Sequence, residues 1–226
     1  MFSLFKRKNK PVFYFVGQEP KERINNFILE FIKPIFDKRE FQFKEGSFNF
    51  FKSGNSFKQE VFFKRSSYNL KDKVIRFDPI FCLFDLEYEK WYKSFYKKKT
   101  DDYCLFWSSG GHIANWDKQF IDNIWYDLAA VDNDILIKII TRNIENIALP
   151  NLERLSNREI AFETLRQTSF NICAILFDYC IIENNKEKAR LIIEDFEYYL
   201  NSDFKDQYQG LIEKYEIRKH LFKNWA

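Results

Sequence analysis

The loop at residues 107–117 holds the densest set of side chains that could do chemistry. It contains Trp107, His112, Trp116 and a pair of adjacent glycines. Glycine allows backbone conformations that other residues avoid, and tryptophan is enriched among the residues that dominate protein interfaces. The composition is typical of a structural crossover, in which the glycines form the turn and the tryptophans enter the core. The functional alternative is a binding loop at the junction of sheet and helix.

Familiar catalytic and metal-binding patterns are missing from the sequence. No G-x-x-x-x-G-K-[ST] phosphate loop occurs, and no G-x-S-x-G elbow surrounds Ser108. The four cysteines form no C-x-x-C pair, and the two histidines lack the spacing of zinc ligands. We therefore expect a protein that is not an enzyme and has no cofactor or metal. An enzyme of unknown class with its site near residues 107–117 is an alternative.

Charge divides the chain into two different halves near residue 100. Residues 1–100 carry 22 Lys+Arg against 12 Asp+Glu, whereas residues 101–226 carry 14 against 21. Such asymmetry suits a protein partner or a polyanion. Cations interleaved with aromatic residues can bind phosphates and stack on bases, so nucleic-acid binding is a second functional hypothesis. The cations predicted to line one sheet face are Lys58, Lys64, Arg65, Lys71, Lys73 and Arg76.

The spacing of apolar residues predicts a first helix over residues 19–36, with Pro34 ending or kinking it near Lys33. Alternating patterns separated by turn signals then predict an antiparallel meander. Pro79 should place its strand at an edge or at a bulge. The predicted strands cover residues 41–43, 48–50, 57–65, 74–77, 80–84 and 103–107.

The rest of the chain has helical periodicity. We predict a helix at 86–99, a helical stripe from Phe120 to Val131, and a helix that starts near Asp132 or Asp134 and ends at Pro150. Another helix opens near residues 156–157. The last 60 residues predict a helix hairpin that turns at residues 183–185, followed by a further helix. The apolar stripe of this further helix consists of Leu211, Ile212 and Tyr215.

Together these elements predict an α+β fold: an N-terminal helix, an antiparallel meander of about four to six strands, and a helical C-terminal half with a helix hairpin. Residues 1–165 would form the α+β domain, and residues 166–226 a hairpin that packs on it without being independent. No apolar run approaches the ~20 residues of a membrane span, and no signal-peptide core is present. We expect a cytoplasmic protein with no membrane association.

Residues 147–157, with a Leu-Pro pair and a Leu-Glu-x-Leu-Ser continuation, resemble an uncharacterised bacterial family of the domain-of-unknown-function type. The resemblance spans roughly residues 20–165 and includes the Phe-rich meander. Some members of that family lie near polymorphic-toxin genes, which implies immunity or accessory roles. The family has no established catalytic residues to transfer.

The leading hypothesis is a non-enzymatic cytoplasmic protein that binds another protein, as an immunity-type inhibitor of a bacterial toxin does. Inhibition by occlusion needs complementary charge and aromatic anchors, and no catalytic group. The candidate binding residues are Arg65, Trp91, Trp107, His112 and Trp116. The sequence leaves the identity of the partner and the oligomeric state open.

Overall fold

A computed structural model describes residues 10–97, 104–109, 125–168 and 173–200. The fold is α+β, as predicted. The elements in chain order are α1 (Pro20–Phe27), α2 (Lys33–Asp37), β1 (Gln42–Lys44), β2 (Asn49–Ser53), β3 (Phe57–Arg65), β4 (Arg76–Asp85), α3 (Leu86–Tyr96), β5 (Cys104–Ser109), β6 (Tyr126–Asp127), α4 (Asn133–Asn143), α5 (Leu149–Leu155), α6 (Arg158–Thr168), α7 (Cys173–Ile182) and α8 (Lys186–Leu200).

The chain forms two compact units. The first comprises Met1–Phe84 and Phe106–Leu152, and the second comprises Asp85–Leu105 and Glu153–Ala226. The division between residues 165 and 166 stays a prediction. The second unit includes α3, which comes from the middle of the chain.

The sheet of the first unit has the strand order β1-β2-β3-β4-β5, and the short strand β6 pairs with β4. β1 with β2, β2 with β3, and β4 with β6 are antiparallel. Phe50 lies opposite Val61 in the ladder, and both are fully buried. The Phe36 ring stacks on Phe50 at 4.6 Å between centroids, so the first helical segment and the sheet share a phenylalanine-rich core.

Prolines sit inside two helical runs without ending them. A π-helical turn, Ile28–Ile32, joins α1 to α2, and Pro34 is the second residue of α2. The Lys33 N–H donates to the Ile28 carbonyl, five residues back. A proline ring clashes with the carbonyl four residues before it, and a wider turn relieves that clash. The prediction of a helix over residues 19–36 was confirmed, because the chain stays helical to Asp37. Of the two effects predicted for Pro34, an end near Lys33 was wrong, and a kink stays a prediction.

The same arrangement recurs later in the first unit. A second π-helical turn, Ile144–Ala148, joins α4 to α5, and the Leu149 N–H donates to the Ile144 carbonyl. The Asn151 side chain also donates to the Ile147 carbonyl at 2.9 Å. Pro150 comes after the turn and lies inside α5. The prediction that Pro150 ends the helix was wrong for the same physical reason.

Pro79 lies within β4, which runs unbroken from Arg76 to Asp85 between β3 and β5. The predictions of an interruption at Pro79 and of an edge position were wrong, and the alternative of a bulge stays a prediction. Among the described residues, β6 pairs with β4 at Arg76 and Phe77. Pro79 lies outside this described ladder, which does not use its missing N–H.

The helical stripe predicted from Phe120 to Val131 was wrong at its described end. Tyr126 and Asp127 form β6, and the Leu128 N–H donates to the Ile75 carbonyl at 2.8 Å. Residues 120 and 124 lie outside the described residues. The next prediction was confirmed: Asp132 is the N-cap of α4 and accepts hydrogen bonds from the N–H groups of Asp134 and Ile135.

A buried carboxylate organises the second unit. Asp85 caps α3 by accepting from the Glu87 and Tyr88 N–H groups, each at 2.9 Å. Arg158 at the start of α6 donates to it through Nε and Nη2, and the Tyr179 hydroxyl of α7 donates at 2.8 Å. The Asp85 side chain is 0% exposed. One carboxylate therefore joins three helices.

The predicted helix hairpin is present as α7 and α8, with the turn at residues 183–185. Leu176, Phe177 and Ile192 are buried. The further helix predicted around Leu211 lies outside the described residues. Among the helices in the described ranges, none has the length and apolar character needed to cross a bilayer.

Candidate functional site

The residues predicted to bind a partner do not form one described cluster. Arg65 is the last residue of β3 in the first unit and is exposed. Trp91 belongs to α3 in the second unit. The backbone of Trp107 lies in β5, but its side chain lies outside what the structure describes. His112 and Trp116 fall outside the described residues altogether.

Trp91 belongs to an aromatic row on α3. Its ring lies 6.2 Å from that of Tyr88 and 4.8 Å from that of Phe95, and both pairs are stacked. Tyr88 is buried, and its hydroxyl donates to Asp178 at 2.8 Å. The spacing of these three residues puts them on one helix face, where side chains three and four apart are neighbours. The row extends from the interior outward, because Phe95 is exposed.

The cations predicted to share a sheet face are divided between surfaces. Successive side chains of a strand point to opposite faces. Lys58 and Lys64 therefore lie opposite the buried Val61, whereas Arg65 lies on its side. Lys58 forms an ion pair with Glu60. These cations do not make one continuous basic face.

The connection between β3 and β4 gathers cations more densely than the sheet does. We call residues 64–76 the basic loop, because it has five cations and one carboxylate, that of Asp72. The cations are Lys64, Arg65, Lys71, Lys73 and Arg76. The loop lies wholly in the first unit.

Hydrogen bonds fix the basic loop at its base and near its tip. The Arg76 carbonyl accepts from the Ser66 N–H at 3.1 Å and from the Asn69 side-chain amide at 2.9 Å. Asn69 Oδ1 in turn accepts from the Arg76 N–H at 2.7 Å. Nearer the tip, Leu70 and Val74 form an antiparallel bridge with N–H···O distances of 2.8 and 3.0 Å. The loop is therefore a defined structure and not an open connection.

Asp72 ties the tip of the loop to the rest of the first unit. Its Oδ1 accepts from the Gly17 N–H at 2.9 Å and lies 3.7 Å from Arg23 Nη1. Arg23 is buried in α1, and its Nη2 donates to the Leu128 carbonyl at 2.9 Å. Burial lowers the pKa of Arg23, while the nearby carboxylates of Asp72 and Asp127 oppose that shift. A buried guanidinium thus connects the loop tip to the turn after β6.

Carboxylates neutralise part of the loop. Lys71 pairs with Glu19 at 3.1 Å, and Arg76 Nε pairs with Asp127 at 2.9 Å. Lys64 Nζ lies 5.7 Å from the Trp125 ring centroid, a cation–π contact. Arg65 and Lys73 are exposed and form no ion pair with other described residues. These two cations are the ones most available to an external partner.

Two apolar side chains project from the same loop. Tyr68 is 82% exposed and Leu70 is 59% exposed. Tyr68 is the most exposed large hydrophobic residue in the part of the chain that the structure describes. Its N–H donates to Ser66 Oγ at 3.2 Å, so the backbone that carries the ring is held in place.

Sequence reasoning found Arg65 but missed Tyr68 and Leu70. Both lie in a polar connection whose local pattern is that of an ordinary loop. An aromatic and an aliphatic residue isolated among Ser, Asn, Lys and Asp is the only signal that points to them. Their exposure depends on the fold and is not encoded in local spacing.

Within the described residues, no group of three or more His, Cys, Asp and Glu side chains is arranged to hold a metal ion. No protein-family model, no curated protein and no solved structure significantly matches this chain. The family resemblance of residues 147–157 stays a prediction. The candidate functional site is therefore the basic loop.

Proposed function

We propose that the chain is a non-enzymatic protein that binds another protein through the basic loop, as an immunity-type inhibitor of a bacterial toxin does. The observation that supports this proposal is the exposure of Tyr68 and Leu70 on a loop fixed by Asn69 and Asp72. A held loop loses little conformational entropy when it binds. Exposed aromatic residues flanked by arginine are typical of the residues that dominate binding energy.

Inhibition by occlusion fits this arrangement because it needs only a complementary surface. The loop offers two exposed apolar residues, Tyr68 and Leu70, which we call the apolar centre. It also offers Arg65 and Lys73, which form no ion pair within the part of the chain that the structure describes. The resemblance to a family found near toxin genes is consistent with such a role, and we propose that the protein acts in the cytoplasm.

The nucleic-acid hypothesis concerns the same cations and is less well supported. Lys58 and Arg76 already pair with the carboxylates of Glu60 and Asp127, which reduces their attraction for phosphates. Leu70 offers no ring for stacking on a base. The enzyme hypothesis concerns residues 107–117, most of which lie outside the described residues.

A pull-down from the native host with the tagged full chain tests the proposal. Bound material is analysed for both protein and nucleic acid. We expect one stoichiometric protein partner that is retained by the wild type and lost with a Tyr68→Ala, Leu70→Ser variant. Both side chains are exposed, so the substitutions should leave the fold intact.

Leu191→Ser is the matched control, because Leu191 is an exposed leucine on α8 in the second unit. The control should keep the partner. A partner retained equally by all three proteins would reject the basic loop as the interface. Recovery of nuclease-sensitive nucleic acid alone would favour the second hypothesis.

A further inference from the structure

We infer that the partner of the basic loop presents an acidic surface around an apolar recess that receives Tyr68. The inference rests on the proposed function, since it specifies the chemistry of that partner. It depends on how charge and apolar surface are arranged on the loop.

Positive charge remains on the loop after internal pairing. Among the described residues, Lys71 pairs with Glu19 and Arg76 pairs with Asp127, while Asp72 lies against the buried Arg23. The three remaining cations of the loop form no ion pair with a described residue; they are Lys64, Arg65 and Lys73. A surface of one sign attracts a partner surface of the other sign and speeds their encounter.

The order of residues along the loop places apolar side chains between cations. Arg65 stands at the base of the loop, and Lys71 and Lys73 stand near its tip. Tyr68 and Leu70 lie between them, and the Leu70–Val74 bridge keeps both sides of the loop together. In chain order, the cations therefore flank the apolar residues Tyr68 and Leu70. Tight interfaces commonly have such an apolar centre within a polar rim.

The apolar centre favours a protein over a simple polyanion. A polyanion is bound by cations, and it gains nothing from an exposed leucine. Leu70 contributes only if the partner has an apolar contact for it. The Tyr68 ring is amphipathic, so it can fill an apolar recess while its hydroxyl donates to a carboxylate at the edge. Leu70 therefore favours a protein surface over a nucleic acid, and Tyr68 suits a recess on that surface with carboxylates at its edge.

Photo-crosslinking in the native host tests this inference. Tyr68 is replaced by benzoylphenylalanine in the full chain, and Lys44 on the edge strand β1 is replaced in a control chain. We expect a crosslink from position 68, but not from position 44, to a partner segment that contains apolar residues and several carboxylates. A crosslink to nucleic acid or to a basic segment would overturn the inference.

Association kinetics with the purified partner provide the second measurement. We expect an R65E, K73E double variant to associate at least ~10-fold more slowly at low salt, and the rate for the wild type to fall as salt rises. K44E, a single charge reversal on β1, should stay within about 2-fold of the wild type. A rate insensitive to salt and to R65E, K73E would reject the acidic partner but leave protein binding intact. Failure to recover any protein partner would reject the proposed function itself.

Discussion

The side-chain amide of Asn69 pairs with the backbone of Arg76 at two points. Its Nδ2 donates to the Arg76 carbonyl at 2.9 Å, and its Oδ1 accepts from the Arg76 N–H at 2.7 Å. The Asn69 side-chain amide offers one donor and one acceptor, as a peptide group does. It therefore pairs with the Arg76 backbone in the way that a residue of a neighbouring strand would. The basic loop continues the geometry of the sheet through this contact.

Replacing Asn69 with alanine should therefore loosen the loop selectively. We expect a loss of about 1 kcal/mol in the free energy of unfolding, because two partly exposed hydrogen bonds are exchanged for water. Amide exchange in residues 66–75 should accelerate more than exchange in β2 and β3. Urea denaturation and hydrogen exchange measure the two effects.

Asn69→Asp is the informative control for this prediction. The carboxylate keeps an acceptor for the Arg76 N–H but turns a second oxygen toward the Arg76 carbonyl. We expect no recovery of stability relative to the alanine variant. Unchanged exchange in residues 66–75 in both variants would contradict the proposed role of Asn69.

Arg158→Ala should destabilise the protein by about 3 kcal/mol, because it removes the charge partner of the buried Asp85. Glu87→Gln provides the comparison. Arg158 also pairs with Glu87 at 2.8 Å, but the Glu87 side chain is 52% exposed. Its loss should cost no more than ~1 kcal/mol, since exposed ion pairs contribute little. Urea denaturation of both variants checks the ranking, and equal losses would contradict it.

Alkaline pH should destabilise the fold through buried tyrosines. Burial raises the pKa of Tyr126 to about 12, and burial likewise raises the pKa of Tyr179. Both pKa values lie above that of an unfolded tyrosine, about 10. The two neutral tyrosines contribute fully to the free energy of unfolding below pH 10. This contribution is lost as pH rises through their folded pKa values, because the unfolded chain releases these protons first.

The measurement is the urea midpoint between pH 8 and pH 11. Tyr126→Phe should show a smaller fall across this range, because it has one fewer phenol to ionise. An equal fall in the wild type and the variant would show that Tyr126 does not contribute.

Acid should weaken the hydrogen bond between Asp132 and the Val12 N–H. A hydrogen bond from the Val12 N–H, at 3.0 Å, is the main cause that lowers the pKa of Asp132. The ionised Asp132 therefore contributes to the free energy of unfolding at a pH above its unfolded pKa of about 3.9. This contribution is lost as pH falls through the lower folded pKa. The NMR shift of the Val12 amide should therefore titrate below pH 4.

Asp132→Asn separates this titration from the loss of the helix cap. Asparagine is also a good N-cap and keeps a side-chain acceptor. The Val12 amide shift should then be flat in the same pH range. A titration that persists in the variant would assign the effect to another carboxylate.

Regular periodicity made much of this fold predictable. The pattern at 57–65 sets Val61 and Phe63 on the face opposite Lys58, Glu60 and Lys64, and β3 occupies the same residues. Asp132 precedes a helical stripe and caps α4. Such elements are decided by neighbours in sequence, so their pattern is sufficient.

Other features depend on contacts between distant residues. The apolar spacing that ends at Leu128 and Val131 is helical, but Asp127 lies in strand β6. Its Oδ1 accepts from the Ile75 N–H, 52 residues away, so a distant contact decides the local structure. The same holds for the candidate site. The sequence identified Arg65 as a cation. Only the folded structure shows that Tyr68 is exposed on a loop whose base and tip are held by hydrogen bonds.

The two π-helical turns also set the rotational phase of the helices after them. Each adds about one residue to a turn, and one residue corresponds to roughly 100° around a helix axis. The apolar stripe of the first helical run therefore does not continue in simple α register: Ile32, Ile35 and Phe36 are buried, whereas Phe31 is only partly so. Deleting one residue from Ile28–Ile32 would rotate Ile35 and Phe36 away from the sheet. In both helical runs, the π-helical turn and the proline after it together determine which side of the following helix faces the core.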